Sequence, residues 1–171
     1  MQAGPGAGMA ERQRIDSAAD AVADDRIQAL GVVLTTASRL ERLLGAAMER
    51  ASGLSHPMFE VLLLVGARPG GVPMGELSRQ LVLTSGGATR LVDRMVEAGL
   101  VARERSSGDK RVQVVTLTPA GEARLVEAAR RHADELDRHV LGILAPERLA
   151  AVVEGLDELG RHVSDVLPPL G

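Results

Sequence analysis

The run Thr84-Ser85-Gly86-Gly87-Ala88-Thr89-Arg90 gathers small and polar side chains and ends on an arginine. At the start of a helix, that combination suits an anion. Unpaired N–H groups point outward, the helix dipole favours negative charge, and glycine lets another backbone come close. Arg90 carries a planar fork of donors that can grip a phosphate or the major-groove edge of guanine. Arg94 lies one turn further on and can face a phosphate backbone. Beyond it, Asp109-Lys110-Arg111 follows a Ser106-Ser107-Gly108 turn, where a cationic tip can enter a minor groove. Each residue also has a plainer reading. Arg90 could be one more solvated side chain, Arg94 could be held by Asp93 and Glu97 on its own helix, and Lys110 could serve solubility alone.

Overall charge does not decide between these readings. The 171 residues carry a formal charge of −3, with a pI near 5.8. From Thr84 to Thr118, however, six basic residues stand against four acids, so this stretch is locally +2 and the remainder −5. Where charge sits matters more than its sum. The chain has no cysteine, which removes disulfides, thiolate metal sites and cysteine redox sensing. No apolar run is long enough to span a membrane, and the start lacks the pattern of a signal peptide, so the expected location is cytoplasmic.

The elements that must position these residues are mostly helical. Phe59 is the sole aromatic residue, so the core must be built from Leu, Val, Ala, Met and Ile, a mixture that leans towards helix. A Gly-, Ala- and Pro-rich start is expected to be a disordered tail over residues 1–22. Ile27, Leu30, Leu34, Ala37, Leu44 and Met48 recur at helical spacing, and Ser52-Gly53 ends that helix. A second helix, capped by Ser55, reads apolar almost all round from Met58 to Val65, and such a helix is expected to be buried. After the Arg68–Gly71 turn come two short helices, Met74–Leu81 and Ser85–Ala98, the second closed by Gly99. The period then shifts to two: Val101–Arg105 and Arg111–Leu117 read as a β-hairpin. Thr118-Pro119 starts a helix to about Leu141, and Pro146 starts a last one that ends at Pro168-Pro169.

Two short helices joined by a tight break and followed at once by a hairpin form a winged helix-turn-helix, which lays its second helix in a DNA major groove. The string Leu91-Val-Asp-Arg-Met-Val-Glu-Ala-Gly-Leu-Val-Ala-Arg103 resembles the end of a MarR-family recognition helix and its first wing strand. Asp109-Lys-Arg111, followed by Leu117-Thr118 and Gly121, is similar to the wing signature of that family. The specific resemblance covers about residues 72–124. It implies a mainly α fold with a small β wing, a homodimer, and a transcription regulator of double-stranded DNA. The expected organisation is a winged helix-turn-helix lobe at 55–118 and a helical dimerisation region at 23–54 and 119–167.

The residues expected to touch DNA are Thr84, Ser85, Gly86, Gly87, Thr89, Arg90, Arg94, Asp109, Lys110 and Arg111. In the resembled pattern Arg111 is a wing arginine, and Asp109 fixes wing geometry by ion pairing. Ile27, Leu30, Leu34, Leu136, Val140, Leu149, Val152, Leu156, Leu159 and Val163 are expected to form the dimer surface. The family commonly binds a small phenolic or anionic effector between the dimer base and the DNA lobes, which points to His56, Met58 and Arg68. Functionally the expectation is a repressor on a near-palindromic operator, released by an effector. An effector-independent or architectural regulator is the alternative, and a zinc-responsive one a further alternative. No cofactor and no metal site are expected: His132 and His139 stand two turns apart on one helix, about 10 Å along its axis, too far to share an ion unaided. His132 is expected to fill an interface. Catalysis is not expected, since no glycine-rich cofactor loop or nucleophile motif is present.

Overall fold

The computed structural model describes residues 14–81, 83–106 and 111–167. The chain divides after Arg42 into two compact units. In the first, helix α1 spans Ala18–Ala23, and helix α2 begins at Asp25 and runs to Ser52. Residues 18–22, expected within the unstructured tail, are therefore helical. The reason is a local cap: the Ser17 hydroxyl accepts from the Asp20 N–H at 3.1 Å and donates to its carboxylate at 2.8 Å. At the junction with α2, Asp24 is 3% exposed and accepts from the backbone N–H groups of Arg26 and Ile27. The Arg26 guanidinium and these N–H groups hold its pKa down at about 2.

In the second unit, α3 (His56–Gly66) supplies the centre of the core through Phe59, Val61, Leu62 and Val65. Leu77, Leu91, Val92, Met95, Val101, Val115 and Ala128 close around it. The expectation that the run from Met58 to Val65 has no exposed face is corrected at Leu63, which is 46% exposed. A three-stranded antiparallel sheet has the order β1 (Val72–Pro73), β3 (Gln113–Leu117), β2 (Val101–Arg105). The hairpin strand β2 has its expected limits, whereas β3 starts two residues later than expected. Strand β1 was not anticipated. It has only two residues, its Pro73 lies on an edge where a missing N–H is tolerated, and Gly71 lets it approach β3. A Cβ at Gly71 would stand 2.9 Å from the Thr116 side chain, and its φ of +81° also disfavours any other residue.

Helices α4 (Met74–Gln80) and α5 (Ser85–Glu97) pack as the helix-turn-helix pair. Helix α6 (Pro119–Leu136) starts at the expected Thr118 cap, whose hydroxyl accepts from the Gly121 N–H at 2.9 Å. Its last turn, Asp137–Leu141, is a π-turn closed by the Gly142 N–H on the Asp137 carbonyl, rather than continued α-helix. Helix α7 spans Pro146–Val166. Among the described residues no helix is long and apolar enough to cross a membrane.

The candidate nucleic-acid interface

Helix α5 is divided lengthwise by its sequence. Ala88, Leu91, Val92 and Met95 face the core, while Ser85, Gly86, Thr89, Arg90, Asp93 and Arg94 are exposed. Thr84 caps it, its hydroxyl accepting from the Gly87 N–H at 3.1 Å, and the Thr89 hydroxyl donates to the Ser85 carbonyl at 2.9 Å. The two glycines differ in their demands. A Cβ on Gly87 would press on the capping oxygen of Thr84 at 3.1 Å, so the fold itself explains Gly87. Nothing lies within 4 Å of a Cβ on Gly86, so no packing inside the chain calls for glycine there.

Among the described residues, neither Arg90 nor Arg94 has an ion-pair partner. Asp93, available in sequence to Arg94, is bound instead to Arg103 on β2, with Nη2 2.8 Å from the carboxylate. This pair was missed by sequence reasoning. Its signal was parity: Arg103 shares the inward face of β2 with Val101, so a cation there needs a buried partner. The first two turns of α5 thus carry Arg90 and no acid, and Arg94 follows one turn later. Arg111 is exposed just before β3. Asp109 and Lys110 lie outside the described residues.

The base of the wing is locked to the end of α5. Thr118 donates its hydroxyl to the Gly99 carbonyl at 2.6 Å, and its N–H to the Leu100 carbonyl at 3.2 Å. A Cβ on Gly121 would fall 1.8 Å from that Leu100 oxygen, so α6 must begin with glycine at this point. Gly99 itself has the positive φ, +69°, expected of a helix stop.

The three residues expected to bind an effector are not gathered in one place. His56 opens α3, with Nδ1 4.0 Å from the Glu60 carboxylate and its ring centroid 6.4 Å from that of His132. Met58 packs partly buried against the core. Arg68 is tied to Glu76 of α4 by an ion pair. A separate cavity of about 190 Å³ lies between Leu44, Ala47, Met48 and Ala51 of α2 and Arg131, His132, Asp134, Glu135 and Arg138 of α6. None of the three expected residues lines it. His132 borders this cavity with its ring centroid 5.2 Å from that of Phe59. Burial, then the nearby His56, pushes its pKa below the ordinary histidine value, so the ring is neutral at pH 7. Within the chain it packs against Phe59. Among the described residues no group of three or more His, Asp or Glu side chains could hold a metal ion.

Comparison with known proteins decides the family. Residues 52–112 match the model of the MarR family. The chain is 30% identical over 109 residues to the HTH-type transcriptional regulator BilQ of Clostridium symbiosum, covering 64% of this chain and 74% of that one. It is 32% identical over 101 residues to the transcriptional regulator HosA of Escherichia coli O157:H7, covering 59% and 73%. The chain belongs to the MarR family. A solved structure agrees: Sco3205, a MarR family regulator of Streptomyces coelicolor crystallised in complex with DNA, superposes with a TM-score of 0.72 at 27% identity, over 90% of this chain and 94% of that one. MarR-family relatives are transcription regulators and not enzymes.

For a MarR-family regulator, the remaining feature of note is apolar surface. Ile27, Leu30 and Leu34 are exposed on α2. On α7, Val152, Leu156, Leu159 and Val163 are exposed, and Leu149 is half-buried. Leu136 and Val140, at the end of α6, are half-buried too.

Proposed function

We propose that this MarR-family regulator binds double-stranded DNA as a homodimer and represses transcription from a near-palindromic operator. The observation that carries the reading is the outer face of α5: Gly86 is small for no internal reason, and Arg90 and Arg94 stand beside it without partners among the described residues. Such a face fits a major groove, with Thr84, Ser85, Gly86, Gly87 and Thr89 near base edges and sugar–phosphate, Arg90 on guanine or phosphate, and Arg94 on the backbone. Arg111, with Asp109 and Lys110, serves the wing that reaches the neighbouring minor groove. Residues 55–118 form the DNA lobe; 23–54 and 119–167 form the dimerisation region. The exposed stripe of α7 and the Ile27–Leu34 face of α2 support the second assignment, because unburied leucines and valines along a helix are the usual half of a two-fold interface.

A small effector fits the cavity between α2 and α6, where Leu44, Ala47, Met48 and Ala51 form an apolar wall and Arg131, Arg138, neutral His132, Asp134 and Glu135 a polar one. At about 190 Å³ it accommodates a fragment-sized molecule only. Release from DNA requires that the effector prefer a lobe spacing that misfits the operator.

The test is fluorescence anisotropy of the purified protein on duplex DNA from upstream of its own gene and on a scrambled duplex, at several salt concentrations. A specific regulator binds the first at least about 10³-fold more tightly. Equal affinities that fall together with salt would overturn sequence-specific regulation. Thermal-shift measurements with small acids, phenols and zinc then separate an effector-gated protein from one controlled by its concentration alone.

A further inference from the structure

The ion pair between Asp93 and Arg103 joins the middle of the recognition helix to the first wing strand, and nothing in the DNA reading requires it to exist. Arg103 lies opposite Val115 in the sheet, on the same strand face as buried Val101. Its Nε and Nη2 are shut off from solvent, and the carboxylate 2.8 Å from Nη2 is the one ionic partner among the described residues. Asp93 is half-exposed on the outward side of α5. A guanidinium in that position is costly, and an apolar side chain matching Val101 would fill the space more cheaply. The pair is therefore not explained by stability.

Geometry supplies a different explanation. The wing is attached to α5 at its base, through the Thr118 bonds to Gly99 and Leu100. Buried Val101 and Val115 and the pairing of β3 with β1 hold that same end of the ribbon, and both strands run on past them towards the tip. Arg103 adds a second fixed point two residues further along β2 than Val101, and two points on one strand fix a direction. The pair also offsets the Asp93 negative charge on the helix face that carries Arg90 and Arg94.

We propose that Asp93 and Arg103 are positioning residues that set the angle between the wing and the recognition helix, and so govern discrimination between DNA sequences more than affinity for DNA as such. The inference rests on the DNA-binding reading. A wing held at one angle can engage its minor groove only when α5 is in register with its own site, so a swinging wing loses the operator's advantage. Contacts to phosphate, which depend on charge, are kept.

The test uses the full-length D93N/R103M protein, in which local net charge is unchanged and the buried guanidinium is replaced by an apolar chain of similar length. Two quantities are read. Amide exchange of β2 and β3 in the free protein reports wing mobility, and anisotropy on operator and scrambled duplexes reports discrimination. The proposal expects exchange in the two strands to rise about tenfold with core protection in α3 unchanged, operator affinity to fall about tenfold or more, and scrambled-duplex affinity to stay within about twofold. R103K, which keeps a cation in reach of Asp93, is expected to recover most of the discrimination, and it remains informative should the double variant not fold. Unchanged exchange and discrimination in D93N/R103M would overturn the proposal, as would R103K discriminating no better than the double variant or, were that variant not to fold, discriminating about tenfold worse than wild type. If wild-type protein itself preferred no duplex, the DNA reading would fall, while the exchange measurement would still decide whether the pair holds the wing.

Discussion

Helices α5 and α7 are both amphipathic, yet their surroundings are opposite. The 13 residues of α5 include four that are buried, so most of its apolar side chains are used within the chain, with Val96 left partly exposed. None of the 21 residues of α7 is buried, and its stripe from Val152 to Val166 stays open. Fully covering a leucine or valine side chain is worth about 1.5–3 kcal/mol, so the open stripe represents a large stabilisation not yet realised. What is left over on α5 is polar and cationic; what is left over on α7 is apolar. One leftover surface suits a polyanion and the other suits a copy of itself. On the proposed reading, the two regions divide the labour of reading DNA and of pairing subunits.

The comparison is broken most severely at its packed side. Gly121→Ala forces a Cβ against the Leu100 carbonyl, in backbone that cannot yield without moving α6. A loss of about 3 kcal/mol or more is expected, at the upper end for overpacking, seen as a lower denaturant midpoint. Leu156→Asp attacks the open side instead. Its charge cannot be buried in a two-fold contact, so light scattering should give half the wild-type mass and operator binding should fall with it, while circular dichroism stays unchanged. A dimer that survives this change would remove the claim for α7.

Sequence reading reached these two helices for different reasons and stopped for different reasons. The Ser85 start of α5, the Gly99 stop, the limits of β2 and the Thr118-Pro119 start are all local signals, and each stands where expected. Strand β1 depends on the edge of β3, forty residues away in the chain, and two residues carry no period. The α1 helix was legible in Ser17 and Asp20, but its six residues are too short to show a helical period. The Asp93–Arg103 pair was hidden because helix spacing offers Asp93 a nearer partner in Arg90, three residues back, and only tertiary packing decides between them. The cavity on α6 was equally invisible, since its walls come from two elements far apart in sequence.

Smaller effects sharpen the comparison. Arg90→Ala is expected to cost about 1–3 kcal/mol of operator affinity and to relax preference at one base pair, read by anisotropy on single-substituted duplexes. Arg111→Ala should weaken operator binding and leave the dimer mass unchanged; equal affinity would remove the wing assignment. The smallest effect is a pH dependence at the α3–α6 contact. The pKa of His132 in the folded chain lies below its ordinary value of 6.5, so the unfolded chain takes up the proton first as pH falls. Stability is full above pH 6.5 and declines below it, until the folded ring is protonated as well. Thermal midpoints at pH 7.5 and 5.5 should therefore differ more for wild type than for His132→Gln.

Selection of binding sites from a random duplex library by the wild-type protein tests the central claim most directly. The account predicts an enriched inverted repeat, with half-site centres about one helical turn apart, as two copies presenting α5 to one face of the duplex require. Enrichment of a lone half-site would contradict the pairing assigned to α7, and no enrichment at all would contradict the reading of α5 as a sequence-reading helix.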